Sequence, residues 1–232
     1  MAGWPVQMLS DSRWPAEIEL WHVAISEREG VSDEMTRLLD ADERARADRY
    51  RAVADRSRFV ATRSSLRALL ARHVGAAPET LRFVTGPHGR PALEHYPAVS
   101  FNVSHTGPHA LIALSSTRIV GVDVERLDMA LDWRALTRLV CSAAEQRSIE
   151  CAPVALQHDY FFRCWTAKEA LLKALGLGIT EGLLALTIEL GGEGVQQPHA
   201  ESAPAFSGAA ALRFQWLRDL PGYLACIAYS EA

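Results

Sequence analysis

Residues 119–125 read IVGVDVE, a short run in which valine alternates with other residues, as in a β-strand with one buried face. This alternation places Asp123 and Glu125 on one face and the valines on the other. Two neighbouring carboxylates repel each other unless water surrounds them or a cation bridges them, and Mg²⁺ prefers oxygen ligands of this kind. The pattern also fits an exposed strand at a sheet edge, so spacing alone leaves both interpretations open.

A second informative run is FFRCWTAKEALLKALG at residues 161–176. Helical spacing places Trp165, Glu169 and Lys173 along one side, with Glu169 and Lys173 four residues apart. Gly176 is expected to end the helix. Because such a pair is also a common surface salt bridge, worth about 0.3–0.5 kcal/mol, its spacing does not by itself establish a function.

The order of elements predicts an α+β fold made of two similar halves, residues 1–118 and 119–232, with a joint near residues 116–120. A stretch rich in Gly, Pro, Ser and Gln, residues 191–208, predicts a surface loop. The predicted helical regions are 32–74, 133–149 and 156–175. The predicted strands are 18–25, 81–85, 99–103, 110–115, 119–125, 183–190, 212–216 and 224–229.

Composition excludes several classes of protein. With 232 residues, of which 49% are hydrophobic, the chain can bury a substantial core. Its formal net charge of −4 does not favour nucleic-acid binding, and no apolar run approaches the roughly 20 residues of a membrane span. The start of the chain lacks a signal-peptide layout, and the four cysteines show no metal-ligand spacing. We therefore expect a cytoplasmic protein with reduced thiols.

Two segments of the first half offer groups for an anion. Nine arginines lie between Arg44 and Arg72 against two aspartates, which suits a polyanionic ligand or an acidic partner, although solvated helices also carry many arginines. Residues 101–107, FNVSHTG, end a predicted strand with Ser104 and His105, whose hydroxyl and imidazole suit a phosphate. A single histidine at such a position is also often structural.

Four motifs follow one another along the chain: Gly89-Arg90-Pro91, FNVSHTG at 101–107, GVDVE at 121–125 and WTAKEALLKALGLGI at 165–179. Together they resemble the signature of the 4'-phosphopantetheinyl transferases of the surfactin-synthetase-activating type, over roughly residues 40–180. The resemblance implies a monomer that is a pseudo-dimer of two similar α+β halves. It also implies that coenzyme A and Mg²⁺ bind in the cleft between those halves.

The resemblance further implies which groups perform the chemistry. Asp123, Glu125 and Glu169 match the metal ligands of that family. The resemblance makes Glu169 the first candidate for the general base. Glu145 is kept as a second candidate, because VCSAAEQ at 140–146 is similar to a segment that supplies the base in some members.

Eight residues are expected to meet coenzyme A on the same grounds. They are Ser104 and His105 at its phosphates, Lys168 and Lys173 beside the diphosphate, Asp123 through the metal, Arg90 near the adenine nucleotide, and Arg44 and Arg58 at the 3'-phosphate side. Lys173, with His105 assisting, would offset the charge that develops during transfer. This chain has Arg90 where the family often has lysine, which preserves charge but changes geometry.

The implied reaction moves the 4'-phosphopantetheine group of coenzyme A to a serine of an apo acyl or peptidyl carrier protein and releases adenosine 3',5'-bisphosphate. We expect coenzyme A and carrier proteins as partners, and neither nucleic acid nor a membrane. One alternative is a homologue that binds coenzyme A without catalysis, although a degenerate copy would be expected to have lost at least one motif carboxylate or lysine. The other alternative is a Mg²⁺-dependent phosphoesterase that hydrolyses coenzyme A without a carrier.

Overall fold

The computed structural model describes residues 6–9, 12–26, 30–86, 89–178, 182–200 and 206–231. The helices of these residues are α1 Asp33–Arg37, α2 Ala41–Asp48, α3 Val53–Val74, α4 Trp133–Val140, α5 Ala143–Cys151 and α6 Val154–Leu175. The strands are β1 Val6–Met8, β2 Glu19–Ala24, β3 Phe83–Thr85, β4 Pro91–Leu93, β5 Ser100–Thr106, β6 His109–Ser115, β7 Val120–Arg126, β8 Leu186–Thr187, β9 His199–Ala200, β10 Leu212–Leu217 and β11 Tyr223–Ser230. The predicted α+β class is confirmed.

The first half is built on an antiparallel sheet with strand order β1-β2-β6-β5. Alternate apolar residues of β2 and β6 share a buried cluster with α3, in which Val23 and Ile112 meet Leu66 and Leu70. The helix ends at Gly75, whose φ of 70° is a left-handed conformation that glycine adopts without strain. This half therefore consists of one long helix on one sheet, with the shorter elements around them.

The second half repeats this arrangement with strand order β10-β11-β7 and α6 against the sheet. Phe162 and Leu171 of α6 share a buried cluster with Phe214 and Cys226 of the strands. Like α3, α6 has 22 residues and ends at a glycine with φ 70°, here Gly176. The two halves are thus similar in construction. The proposed boundary after residue 118 falls between β6 and β7 and stays a prediction.

The two sheets meet along a seam formed by the edge strands β5 and β7. Side-chain oxygens on alternate residues of β5 accept hydrogen bonds from alternate backbone N–H groups of β7. The three pairs are Ser100 with Val120 at 3.0 Å, Asn102 with Val122 at 2.9 Å, and Ser104 with Val124 at 3.3 Å. Because a buried N–H without a partner is costly, this seam both satisfies the edge of β7 and aligns it with the first half.

Several predicted boundaries were wrong. The helical region predicted at 32–74 is three helices, and the one at 133–149 is two. Both α2 and α5 begin at capping boxes; in α5 Ser142 accepts from the N–H of Glu145, and the Glu145 carboxylate accepts in return. The predicted strand 183–190 contains only the two residues of β8, and the predicted loop 191–208 contains β9, with part of it outside the described residues.

Candidate active site

Strand β7 and helix α6 lie in close contact where the two halves meet. Gly121 makes this approach possible, since a Cβ at that position would overlap the carbonyl oxygen of Ala170 and the amide nitrogen of Ala174. The next two residues on the same face of β7 are Asp123 and Glu125. The alternation predicted from the sequence therefore directs both carboxylates toward α6, the helix that carries Glu169 and Lys173.

Asp123 and Lys173 form the centre of a hydrogen-bonded group. The Nζ atom of Lys173 lies 2.6 Å from Oδ1 of Asp123 and 3.5 Å from Oε2 of Glu169. Ser104 Oγ donates to Asp123 Oδ1 at 2.8 Å, and Trp165 Nε1 donates to Glu169 Oε1 at 2.6 Å. The fold thus brings Ser104 of the first half to three predicted site residues of the second half.

This group contains three acidic side chains, all at least partly buried, and one ammonium. Burial, together with repulsion from Asp123 and Glu169, raises the pKa of Glu125 to about 8. Burial and the neighbouring Asp123 also raise the pKa of Glu169. Although burial opposes it, the attraction of Asp123 and Glu169 raises the pKa of Lys173, which therefore stays protonated. Three acidic groups share one ammonium, so the group favours a further cation.

One oxygen of this group lacks a partner among the described residues. Oδ2 of Asp123 is buried and accepts no hydrogen bond from them, although Oδ1 accepts from both Ser104 and Lys173. A buried carboxylate oxygen left unpaired is unfavourable unless another positive group approaches it. Together with the oxygen-only ligand set, this orphaned atom fits a hard divalent cation such as Mg²⁺.

The carboxylate oxygens of Asp123, Glu125 and Glu169 do not all lie within 4.8 Å of one another, so they are farther apart than the ligands of one small cation would be. Among the described residues, only Cys141, Glu145 and Cys164 form a group of three metal-type side chains whose ligand atoms all lie within 4.8 Å of one another. That group is unsuited to a cation, because Glu145 already pairs with the ammonium of Lys168 at 2.5 Å. Burial also raises the pKa of Cys164 well above normal, so its thiol stays protonated.

Lys168 and Glu145 do not belong to the cleft, which corrects two predictions. Lys168 is fully buried, and its Nζ donates to Glu145 Oε2 at 2.5 Å, Leu183 O at 2.7 Å and Val140 O at 2.9 Å. All three ammonium donors are therefore used inside the second half, and none remains for a diphosphate. Glu145 is equally buried and also accepts from two backbone N–H groups. It is a structural carboxylate and not a candidate base.

His105 and Arg58 lie at the edge of the same cleft. His105 reaches solvent at the end of β5; partial burial lowers its pKa, and the positive charges of Arg58 and Lys173 act in the same direction. Its imidazole is therefore neutral at pH 7. The Nε of Arg58 donates to the carbonyl of Gly107 at 3.1 Å, and its Nη1 pairs with Asp55 at 2.8 Å. His105 and Arg58 are two of the residues predicted to contact phosphates, and both Arg58 and Lys173 lie close enough to His105 to act on its charge.

Arg90 and Arg44 are placed differently from each other. Arg90 lines a cavity of about 220 Å³ at the junction, together with Lys173, Asn102 and residues 176–178. Its guanidinium donates to protein oxygens on both sides of the junction. Arg44 is exposed on α2, and its described hydrogen bond goes to the carbonyl of Leu39. No described contact joins Arg44 to the cleft, so its role at the 3'-phosphate stays a prediction.

Sequence reasoning missed some residues that shape this site. Ser100 and Asn102 hold β7 in place, and their alternation with Ser104 in SFNVSHT was a readable sign of a polar strand face. Trp165 was placed on the side of the helix that carries Glu169, but its hydrogen bond to that carboxylate depends on a rotamer that spacing does not determine.

Comparison with known proteins identifies the family. The model of the 4'-phosphopantetheinyl transferase superfamily matches residues 119–225, and a model described as 4'-phosphopantetheinyl transferase, N-terminal, matches residues 27–117. The 4'-phosphopantetheinyl transferase HetI of Nostoc sp. is 33% identical over 194 residues, which are 82% of this chain and 81% of HetI. The chain belongs to the 4'-phosphopantetheinyl transferase superfamily. The predicted resemblance is confirmed at this level, and so is the class of enzyme.

Two further relatives align over shorter lengths. The protein slr0495 of Synechocystis sp. is 38% identical over 148 residues, 63% of this chain and 60% of that protein. The 4'-phosphopantetheinyl transferase psf-1 of Bacillus pumilus is 30% identical over 156 residues, 66% of this chain and 64% of psf-1. The alignment with these two therefore spans slightly less than two thirds of their length.

None of the described helices is both long enough and apolar enough to cross a membrane.

Proposed function

We propose that this member of the superfamily transfers the 4'-phosphopantetheine group of coenzyme A to a serine hydroxyl of an apo acyl or peptidyl carrier protein. Adenosine 3',5'-bisphosphate would be the second product. The observation that carries the proposal is the group of Asp123, Glu125, Glu169 and Lys173 at the junction of the halves, in which Asp123 is buried and its Oδ2 accepts no hydrogen bond from the described residues. Its charges suit a cation and, through that cation, a diphosphate.

Asp123, Glu125 and Glu169 are the residues that would hold Mg²⁺. When bound, Mg²⁺ would neutralise charge on the diphosphate and make its phosphorus easier to attack. Lys173 pairs with Asp123 and Glu169 in this arrangement. Its ammonium would stabilise the negative charge that develops on a phosphate oxygen during transfer.

Glu169 is the proposed general base. The hydrogen bond from Trp165 to Oε1 holds this carboxylate in place, and a positioned carboxylate within hydrogen-bond reach of the serine hydroxyl could accept its proton. In the reaction the serine oxygen would form a bond to the β-phosphorus, its proton would pass to Glu169 directly or through water, and the bond from that phosphorus to the bridging oxygen would break. The adenosine bisphosphate would leave with the electron pair of that bond.

His105 and Arg58 are proposed to meet the phosphates at the cleft edge. A neutral imidazole can donate one N–H to a phosphate oxygen, and the guanidinium adds a fixed positive charge. The Ser104 hydroxyl donates to Asp123 and keeps that carboxylate oriented, while its contact with the phosphates stays a prediction. Arg90 and Lys173 line one cavity at the junction, and residues 89–91 are the proposed neighbours of the adenine nucleotide.

The deciding experiment is mass spectrometry of a purified apo carrier protein incubated with this protein, coenzyme A and Mg²⁺, with an EDTA control. We expect a metal-dependent mass gain of one phosphopantetheine. Asp123→Asn and Glu169→Gln should lower the rate by about 100-fold or more, because loss of an outer partner of a metal ligand already costs roughly 10–100-fold. Asp219→Asn, a change of a surface carboxylate paired with Arg13, is the matched control and should leave the rate unchanged.

Two other results would replace the proposal. Coenzyme A binding without mass gain on acyl and peptidyl carriers would indicate a binding homologue. Hydrolysis of coenzyme A without a carrier would indicate a phosphoesterase. The expected monomeric state and cytoplasmic location stay predictions, and sedimentation of the purified chain checks the first of them.

A further inference from the structure

Arg90 joins three structural elements at the junction. One guanidinium nitrogen, Nη1, donates to the carbonyl of Ala174 on α6. The other, Nη2, donates to Ser100 Oγ on β5 at 2.9 Å and to the carbonyl of Val120 on β7 at 3.2 Å. Its aliphatic part packs near Gly176, where a Cβ would come within 3.5 Å of Arg90 Cδ. A single side chain of the first half thus holds two elements of the second.

Each element that Arg90 holds leads directly to the candidate site. Val120 begins β7, three residues before Asp123, and Ala174 follows Lys173 on α6. Ser100 begins the seam, and its Oγ also accepts the N–H of Val120 at 3.0 Å. The guanidinium therefore fixes the strand that carries two carboxylates relative to the helix that carries the third.

The partners of Arg90 are all neutral. Among the described residues it forms hydrogen bonds to two carbonyls and a hydroxyl, and it forms no ion pair with them. Acceptors placed at three different positions match the planar fork of a guanidinium, whereas a lysine offers one nitrogen and would reach only some of them. The shape of this side chain matters here more than its charge.

We propose that Arg90 is a positioning residue that sets the distance between the carboxylates of β7 and Glu169 of α6. This inference rests on the proposed function for its kinetic consequences, while its effect on metal binding can be measured separately. On this proposal the guanidinium of Arg90 holds the junction together, and the backbone of residues 89–91 lines the cavity.

The test uses the full chain with Arg90→Lys and Ser100→Ala. The first variant keeps the positive charge but loses the fork, and the second removes an acceptor without changing any charge. Three quantities are measured: Mn²⁺ affinity by electron paramagnetic resonance, kcat, and KM for coenzyme A. Arg82→Lys, an exposed arginine of the same half, is the matched control. Val60→Ala, in the buried cluster with Leu39, controls for a general loss of stability.

We expect Arg90→Lys to weaken Mn²⁺ binding and lower kcat by about tenfold each, as with outer partners of metal ligands, while KM for coenzyme A stays within about twofold. Ser100→Ala should change the same two quantities in the same direction, and neither control should change them. If Arg90→Lys instead raises KM alone, the guanidinium contacts the nucleotide and the proposal is wrong. Unchanged Mn²⁺ affinity in both variants also refutes it, whether or not the wild-type protein transfers phosphopantetheine.

Discussion

Lys168 and Lys173 lie five residues apart on α6, and the structure gives them opposite roles that one substitution can separate. Lys168→Met would remove an ammonium that is fully buried and bonded to Glu145, Val140 and Leu183. The variant would leave a buried carboxylate without its counter-ion and two carbonyls without a donor. Breaking a buried ion pair in this way costs about 3–5 kcal/mol.

That loss of stability can be measured as a change in melting temperature. For a chain of this length each kcal/mol corresponds to about 2–4 °C, so Lys168→Met should melt about 6–20 °C below the wild type. The assay is thermal unfolding followed by circular dichroism, with turnover measured on protein that is still folded. A double variant that adds Glu145→Gln should be less destabilised than the sum of the two single variants by about 1.5 kcal/mol or more, because they share one contact.

The refuting result is specific. If Lys168→Met melts within about 2 °C of the wild type while folded protein loses transfer activity, then Lys168 acts in the cleft and its assignment to the interior is wrong. Retained turnover per folded molecule, combined with the lowered melting temperature, supports the assignment.

Three further predictions concern separate parts of the molecule. Lys173→Ala should lower kcat more than it changes KM for coenzyme A, because its charge is needed mainly in the transition state; steady-state kinetics check this. Partial burial lowers the pKa of both His22 and His109, whose ring nitrogens lie 2.9 Å apart, and the neighbouring His109 lowers the pKa of His22 further. The free energy of unfolding should therefore fall as pH drops below about 6.5, where the unfolded chain takes up protons first. Urea denaturation from pH 5 to 8 should show a weaker pH dependence of that free energy for His22→Gln. Gly121→Ala should prevent folding, since its Cβ would overlap the backbone of α6, whereas Gly178→Ala, with open space around the added Cβ, should fold normally; soluble yield and circular dichroism distinguish them.

Much of the candidate site could be predicted from local sequence. The alternation in IVGVDVE placed Asp123 and Glu125 on one face, and helical spacing placed Glu169 and Lys173 on one side of α6, because both periods follow from backbone geometry. The structure agrees, with Lys173 in contact with Asp123 and Glu169. The ordered motifs also identified the family before any contact was known.

The breaks between helices were harder to predict, although their signals were present. DADE at 40–43 and SAAE at 142–145 are both capping boxes, in which the acidic residue returns a hydrogen bond to the backbone N–H of the capping residue. The second of these was interpreted as a possible source of a catalytic base. A carboxylate three residues after a serine at a helix start is more often used locally, as Glu145 is here.

The sequence by itself determined the family, the α+β class and the side of each element on which its polar groups lie. Only the tertiary structure decided which of those sides face the cleft and which face the interior. Lys168 and Lys173 have the same charge, yet one is enclosed by α5 and the segment at Leu183 while the other meets β7. The same holds for Arg90, whose three acceptors come from residues 10, 30 and 84 positions away along the chain. Periodicity describes one element at a time, and the partner of a buried charge is set by the packing of several.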